Sequence, residues 1–123
     1  MNKLIVFALL SLILSGCSSS PSINSSADVQ SGKASFYADK YHGRTTASGT
    51  VFNQQALSAA HLDLAFGTRV KVTNIANNKS VIVSINDRGP FVHGRIIDLS
   101  KKAFSQIASL QQGVIDVTVE QLD

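Results

Sequence analysis

The chain has one cysteine, no tryptophan, two prolines and a single glutamate, Glu120, among its 123 residues. One cysteine cannot close an intrachain disulfide, so the fold must be held by its core. With so few acids, chemistry that needs several paired carboxylates has little to draw on. No apolar run approaches the roughly 20 residues that cross a bilayer. The longest, Leu4 to Leu14, is 11 residues and is broken only by Ser11. The three histidines lack the tight spacing of zinc ligands, so no metal site is expected, and nothing in the pattern calls for a cofactor. A Gly-x-Ser-x-Gly elbow is missing, which leaves a serine hydrolase without support. The formal charge of +3 is small and scattered, and it argues against nucleic acid as the partner.

What is present begins with Lys3, then the short apolar run, then Leu14-Ser15-Gly16-Cys17. The run has the length of a signal-peptide core, and two small residues lead into the lone cysteine. The tetrad resembles the lipobox of bacterial lipoproteins. That resemblance implies a signal peptide over 1–16, cleavage before Cys17 and acylation there, with several acyl chains making a stable membrane anchor. Ser18, where an aspartate would mark retention in the inner membrane, implies the outer membrane facing the periplasm. Residues 17–32 are mostly Ser, Asn, Gln, Ala and Gly without apolar period, and they read as a tether. About 15 such residues reach at most roughly 50 Å.

The remaining stretch, 33–123, reads as one domain. Thr68 to Ile75 and Ser80 to Ile85 alternate polar and apolar residues, and Asn77-Asn78 between them tolerate the positive φ of a tight turn, so the two runs form a hairpin. Val81, Val83 and Ile85 should face inward. Arg95 to Leu99 is a further strand. Ser100 then offers an N-cap for a helix from Lys101 to about Leu110, closed by Gln112-Gly113. Val114 to Glu120 alternates again. About six strands, with one or two short helices, predict a small closed β-barrel.

The densest polar cluster is Asn86-Asp87-Arg88-Gly89-Pro90, at the end of an inward-facing strand. A carboxylate there, beside a Gly-Pro turn, is either a rigidly mounted acid or base or a turn cap paired with Arg88, and spacing leaves the two readings even. Asp98, between Ile97 and Leu99, reads as a structural acid. His61 ends the short run Leu57 to Ala60, where a packed polar cap is the commoner role, and His42 and His93 fall in loops.

Taken together, Gly32 to Tyr37, His42 to Gly49, Ser58-Ala59-Ala60-His61, Phe66-Gly67-Thr68, Asn86 to Phe91 and Gly94 to Ser100 resemble the rare lipoprotein A (RlpA) family over essentially the whole domain. The resemblance implies a double-psi β-barrel, the fold also used by expansins. It also implies an endolytic lytic transglycosylase acting on peptidoglycan glycan strands stripped of stem peptides. Such an enzyme cuts between N-acetylmuramic acid and N-acetylglucosamine, the muramic 6-hydroxyl attacking its own C1 to leave a 1,6-anhydro end. Carried over position by position, Asp87 is the acid and base, and His61 orients or binds glycan near it. Arg44, Ser48, Thr50, Asn53 and Arg88 fall at substrate-binding places. The pattern departs at two of these. Family members look to carry a glutamate directly after Ala-Ser-Gly and an aspartate three residues later, where this chain has Thr50 and Asn53. Neither exchanges a proton as a carboxyl group does, which keeps a non-catalytic, expansin-like glycan-binding lipoprotein open beside the enzyme.

Overall fold

A computed structural model describes residues 29–122. The signal-peptide reading of 1–16, the lipidated Cys17 and most of the tether lie outside the described residues. Six strands, β1 (Val29–Phe36), β2 (Ser58–Ala60), β3 (Arg69–Asn74), β4 (Ser80–Asp87), β5 (Arg95–Leu99) and β6 (Ile115–Gln121), close into a barrel in the order β1-β5-β2-β4-β3-β6. The pairs β1·β5 and β2·β4 run parallel and the other four pairings are antiparallel. This is a six-stranded double-psi β-barrel.

Period-two alternation places the core. Val70 and Val72 on β3, Val81, Val83 and Ile85 on β4, and Val117 and Val119 on β6 are all buried. Each such side chain contributes roughly 1.5–3 kcal/mol relative to exposure. Ala103, Phe104 and Ile107 of α1 (Lys101–Ile107) cap the barrel, with Phe104 against Phe36 at 4.7 Å between ring centroids. The β3–β4 hairpin turns through Asn78 at φ +62°, as the asparagine pair suggested.

Two boundaries differ from the sequence expectation. β1 begins at Val29, inside the stretch assigned to the tether. Its first three residues are exposed while pairing with Val119, Thr118 and Glu120 of β6, so no apolar period marks them. Helix α1 ends at Ile107 and not near Leu110, because Asn74 Nδ2 and Asn77 Nδ2 both donate to the Ile107 carbonyl, at 2.8 and 3.1 Å. Ala108 is then extended, and Ser109 caps a separate short 3-10 turn over Leu110–Gln112.

Candidate active site

The site is built where β1, β5, β2 and β4 end side by side. Ala60 of β2 pairs with Asp98 of β5 on one side and Asp87 of β4 on the other. With strands about 4.8 Å apart, that register puts the two aspartate backbones about 10 Å apart across one small residue. Tyr37 follows the end of β1, whose Ser35 and Phe36 pair with Asp98 and Leu99. Three chemical side chains thus reach one rim from three strands.

Asp87 is held from three directions. Its Oδ1 accepts from the amides of Ala47 at 2.8 Å and Arg88 at 2.9 Å, and its Oδ2 accepts from the Tyr37 hydroxyl. Burial, and then the bond to Asp87, push the Tyr37 hydroxyl far above the usual phenol range, so it remains a donor. Asp87 thus caps its own turn, as one of the two sequence readings had it, and its carboxylate also lines a cleft. That cleft, of about 530 Å³, is lined by Tyr37, Tyr41, Asp87, Phe91, Arg95 and Asp98 among others. Asp98 accepts from Ser35 Oγ and from Arg95 Nη2 at 2.7 Å. These bonds tie it to β1 and to its own strand, and it also lines the cleft, which sequence reading did not anticipate.

The loop between β1 and β2 forms the facing wall. Tyr37 stacks on buried Phe52 at 4.2 Å and meets Tyr41 edge-on at 5.7 Å. Arg44 lies 5.5 Å from the Tyr41 ring and shares a side pocket with Tyr37 and Asp87, so the fold brings it beside the cleft. Gln54, only 4% exposed, ties this wall to the barrel. It donates to the Tyr37 carbonyl at 2.8 Å and to Asp39 at 3.1 Å, and accepts from the Lys101 amide at 2.8 Å. Asp39 also pairs with Lys101 at 2.8 Å, a bond that holds its carboxyl below the usual range.

Ser48 and Thr50 turn their hydroxyls toward Thr46 and each other, at 3.0 to 3.1 Å. Thr46 also donates to the Thr50 carbonyl at 2.9 Å. This hydroxyl knot stands where the resemblance implied a glutamate, and Ser48 N–H donates to Asn86 O at 3.2 Å to dock it on β4. Asn53 accepts from the Gln55 amide at 2.8 Å, closing a local turn.

His61 and Asp87, expected to work together, line different cavities. The His61 ring is buried, with Nδ1 accepting from the Asp63 and Leu64 amides, both at 3.2 Å. Those two donors fix the tautomer, and Nε2–H donates to Gln30 Oε1 at 2.9 Å. Burial lowers its pKa, with nearby Arg88 adding to the effect and Asp63 opposing it. The ring is neutral, so its 3.3 Å approach to the Asp63 carboxylate is not an ion pair. Only the His61 backbone meets Asp87, its amide donating to the Asp87 carbonyl at 3.1 Å. Arg88 lines the Asp87 cleft and also braces a neighbouring loop. Its Nη1 donates to the His61 and Leu64 carbonyls, at 3.1 and 2.7 Å, and its guanidinium lies 4.1 Å from the Phe66 ring. Much of its donor capacity goes to holding the 61–66 loop. Among the described residues no group of three or more His, Cys, Asp or Glu gathers to hold a metal.

Residues 29–119 match the family model described as lytic transglycolase. The chain is 54% identical over 92 residues to a Synechocystis protein named probable endolytic peptidoglycan transglycosylase RlpA, covering 75% of this chain and 29% of that one. A Campylobacter jejuni endolytic peptidoglycan transglycosylase RlpA is 47% identical over 100 residues, covering 81% and 36%. The chain thus spans about a third of the length of these curated relatives. Among solved structures, the Streptomyces papain inhibitor aligns with a TM-score of 0.64 at 25% identity, covering 77% of this chain and 94% of that one. A Clavibacter michiganensis expansin mutant in complex with cellohexaose aligns at 0.62 and 21% identity, covering 77% and 50%, a likeness of fold. With the match running from the start of β1 into the last strand, β6, the chain belongs to the lytic transglycolase family.

Proposed function

We propose that the barrel is a lytic transglycosylase that cuts peptidoglycan glycan strands, preferring those without stem peptides, between N-acetylmuramic acid and N-acetylglucosamine. The observation that carries this is Asp87, a half-buried carboxylate held by three donors beside a tyrosine-lined cleft. Oδ1 takes two of those donors and Oδ2 one, so Oδ2 keeps a lone pair that carries the proton in the acid form and takes one back in the base form. The carboxyl group gives its proton to the leaving glycosidic oxygen and then takes one from the muramic 6-hydroxyl as that oxygen bonds to C1. The group ends as it began, no water is consumed, and one carboxyl suffices where hydrolysing glycosidases use two. In this reading Arg44, from the side pocket it shares with Asp87, meets the lactyl carboxylate that a stem peptide would otherwise cover. His61 enters as a positioning residue whose backbone and loop hold the Asp87–Arg88 turn. Names of relatives that act on peptidoglycan agree with this reading.

The test uses the chain carrying Cys17→Ser, incubated with insoluble stem-peptide-free glycan strands. Soluble fragments should appear with the otherwise native chain and drop at least about a hundredfold with Asp87→Asn, the share a positioned acid or base supplies. A second reading, a non-catalytic glycan-binding module, is favoured by the hydroxyl knot at Thr50 and by the turn-bound Asn53, which stand where the family has carboxylates. Glycan retained with no fragments released would establish that reading and refute cleavage.

We further propose that the chain is exported, acylated on Cys17 and held at the outer membrane facing the periplasm, on the strength of the Leu14 to Cys17 tetrad and Ser18. Metabolic labelling with a palmitate analogue should mark the protein and fail to mark Cys17→Ser. Label retained by that variant would place the lipid elsewhere.

A further inference from the structure

Phe91 is 82% exposed, the most exposed of the large apolar side chains among the described residues. Single apolar side chains at a surface are ordinary, so Phe91 gains meaning only from its position. The ring is nonetheless oriented. Its Cε2 lies 3.5 Å from where a Gly89 side chain would begin, so one ring edge rests over the Gly89 backbone. Gly89 itself has φ +130°, a conformation that admits glycine.

The location matters more than the exposure. Phe91, Pro90, Val92 and Arg95 line both the Asp87 cleft and an outer groove that continues past His93, Gly94 and Leu62. On the other side the cleft joins the Arg44 pocket through Tyr37, Tyr41 and Asp87. The depression is therefore open in two directions from Asp87, as a polymer cut internally requires. Val92 and Leu62, 51% and 48% exposed, extend the apolar floor, while His93 and Arg95 supply polar edges. An apolar plane with polar edges fits the face of a pyranose ring, whose axial hydrogens are apolar and whose rim carries hydroxyls and amides.

We propose that Phe91 is the platform of a sugar-binding subsite on the outer side of the cleft, stacking on an N-acetylhexosamine ring of the same strand that Asp87 acts on. The subsite rests on the glycan reading above and adds to it a residue that sets where the strand is gripped. The occupant is a glycan because the surface is continuous with the Asp87 cleft and carries polar groups at its rim.

The chain has no tryptophan, so Phe91→Trp introduces a single indole as a local reporter. In the full chain bearing Cys17→Ser and Asp87→Asn, soluble stem-peptide-free glycan oligosaccharides should change its emission saturably. In the same background Phe91→Ala should weaken glycan retention roughly three- to tenfold, whereas Phe91→Tyr should retain it. Equal melting temperatures show that the exposed substitutions leave the barrel intact. If Phe91→Ala binds as well as its parent and the indole stays silent, while the Asp87-intact chain still cuts glycan, the subsite is refuted and the functional reading stands. If the Asp87-intact chain neither cuts nor retains glycan, both fall.

Discussion

Tyr37 is the donor to Asp87 whose loss separates holding the carboxylate from building the barrel. Tyr37→Phe keeps the ring on Phe52 and removes only the hydroxyl that meets Oδ2. Cleavage should slow by roughly tenfold, a fraction of what a positioned acid or base supplies, while the melting temperature changes little. An equal loss of both would make the hydroxyl a structural bond alone. His61 gives a prediction of the opposite kind. Its folded pKa lies below the ordinary 6.5 because burial disfavours the charged ring. Below about pH 6.5 the unfolded chain therefore binds a proton that the folded chain refuses, so stability is complete above that pH and declines as pH falls toward 5. Thermal melts between pH 7.5 and 5 should show this decline, and His61→Gln should flatten it. A decline of the same size in the variant would assign the effect to other groups. Asp39, shifted downward by Lys101, loses its contribution only below the ordinary carboxylate range near 3.8, outside that window.

At the scale of elements, the wall of the site depends on contacts that join distant segments. Gln54 links the β1–β2 loop to the start of α1, and Gln54→Ala leaves the Tyr37 carbonyl and the Lys101 amide without their partner. The cost should be about 1–3 kcal/mol of stability, with a loss of activity, measured by chemical denaturation and glycan cleavage. Gly32 marks a close approach within the sheet. A Cβ there would lie 2.6 Å from Ile96 Cγ2 and 3.0 Å from its Cγ1, so the β-branched side chain or the backbone must shift to admit it. Gly32→Ala should destabilise by roughly 1–3 kcal/mol, and an unchanged melting temperature would contradict the packing. These elements also divide what the sequence could disclose from what it could not. The β3–β4 hairpin, β5, the Ser100 cap and the inward face of β4 follow from alternation and turn chemistry, which are local. The start of β1 does not, because its residues are exposed and are ordered by β6 partners far along the chain. The end of α1 does not, because two asparagines from the hairpin terminate it. Asp87 stood out as a carboxylate at a strand end. Its partner Tyr37 lies 50 residues away, and Asp98 enters the cleft only through the strand order that sets Ala60 between the two aspartates. His61 could be assigned to Asp87 by motif, but its side chain turns to Gln30.

At the scale of the molecule, closure is what a small chain without disulfides relies on. The closed strand order leaves no free sheet edge among the described residues, and one apolar core spans all six strands and α1. Unfolding should be a single cooperative transition, indifferent to reducing agents, and two separated transitions would mean that the β1–β2 loop and α1 come away first. The barrel also presents its cleft as an open groove, with Arg44 and Tyr41 on one side of Asp87 and Phe91 on the other. Whether that groove cuts glycan by intramolecular attack is read most directly from the masses of the new chain ends. With stem-peptide-free strands, the chain with Asp87 intact should leave 1,6-anhydromuramic ends, each one water lighter than a hydrolysed end, and Asp87→Asn should leave almost none. Hydrolysed ends, or anhydro ends in equal amount from both proteins, would contradict the assignment of Asp87.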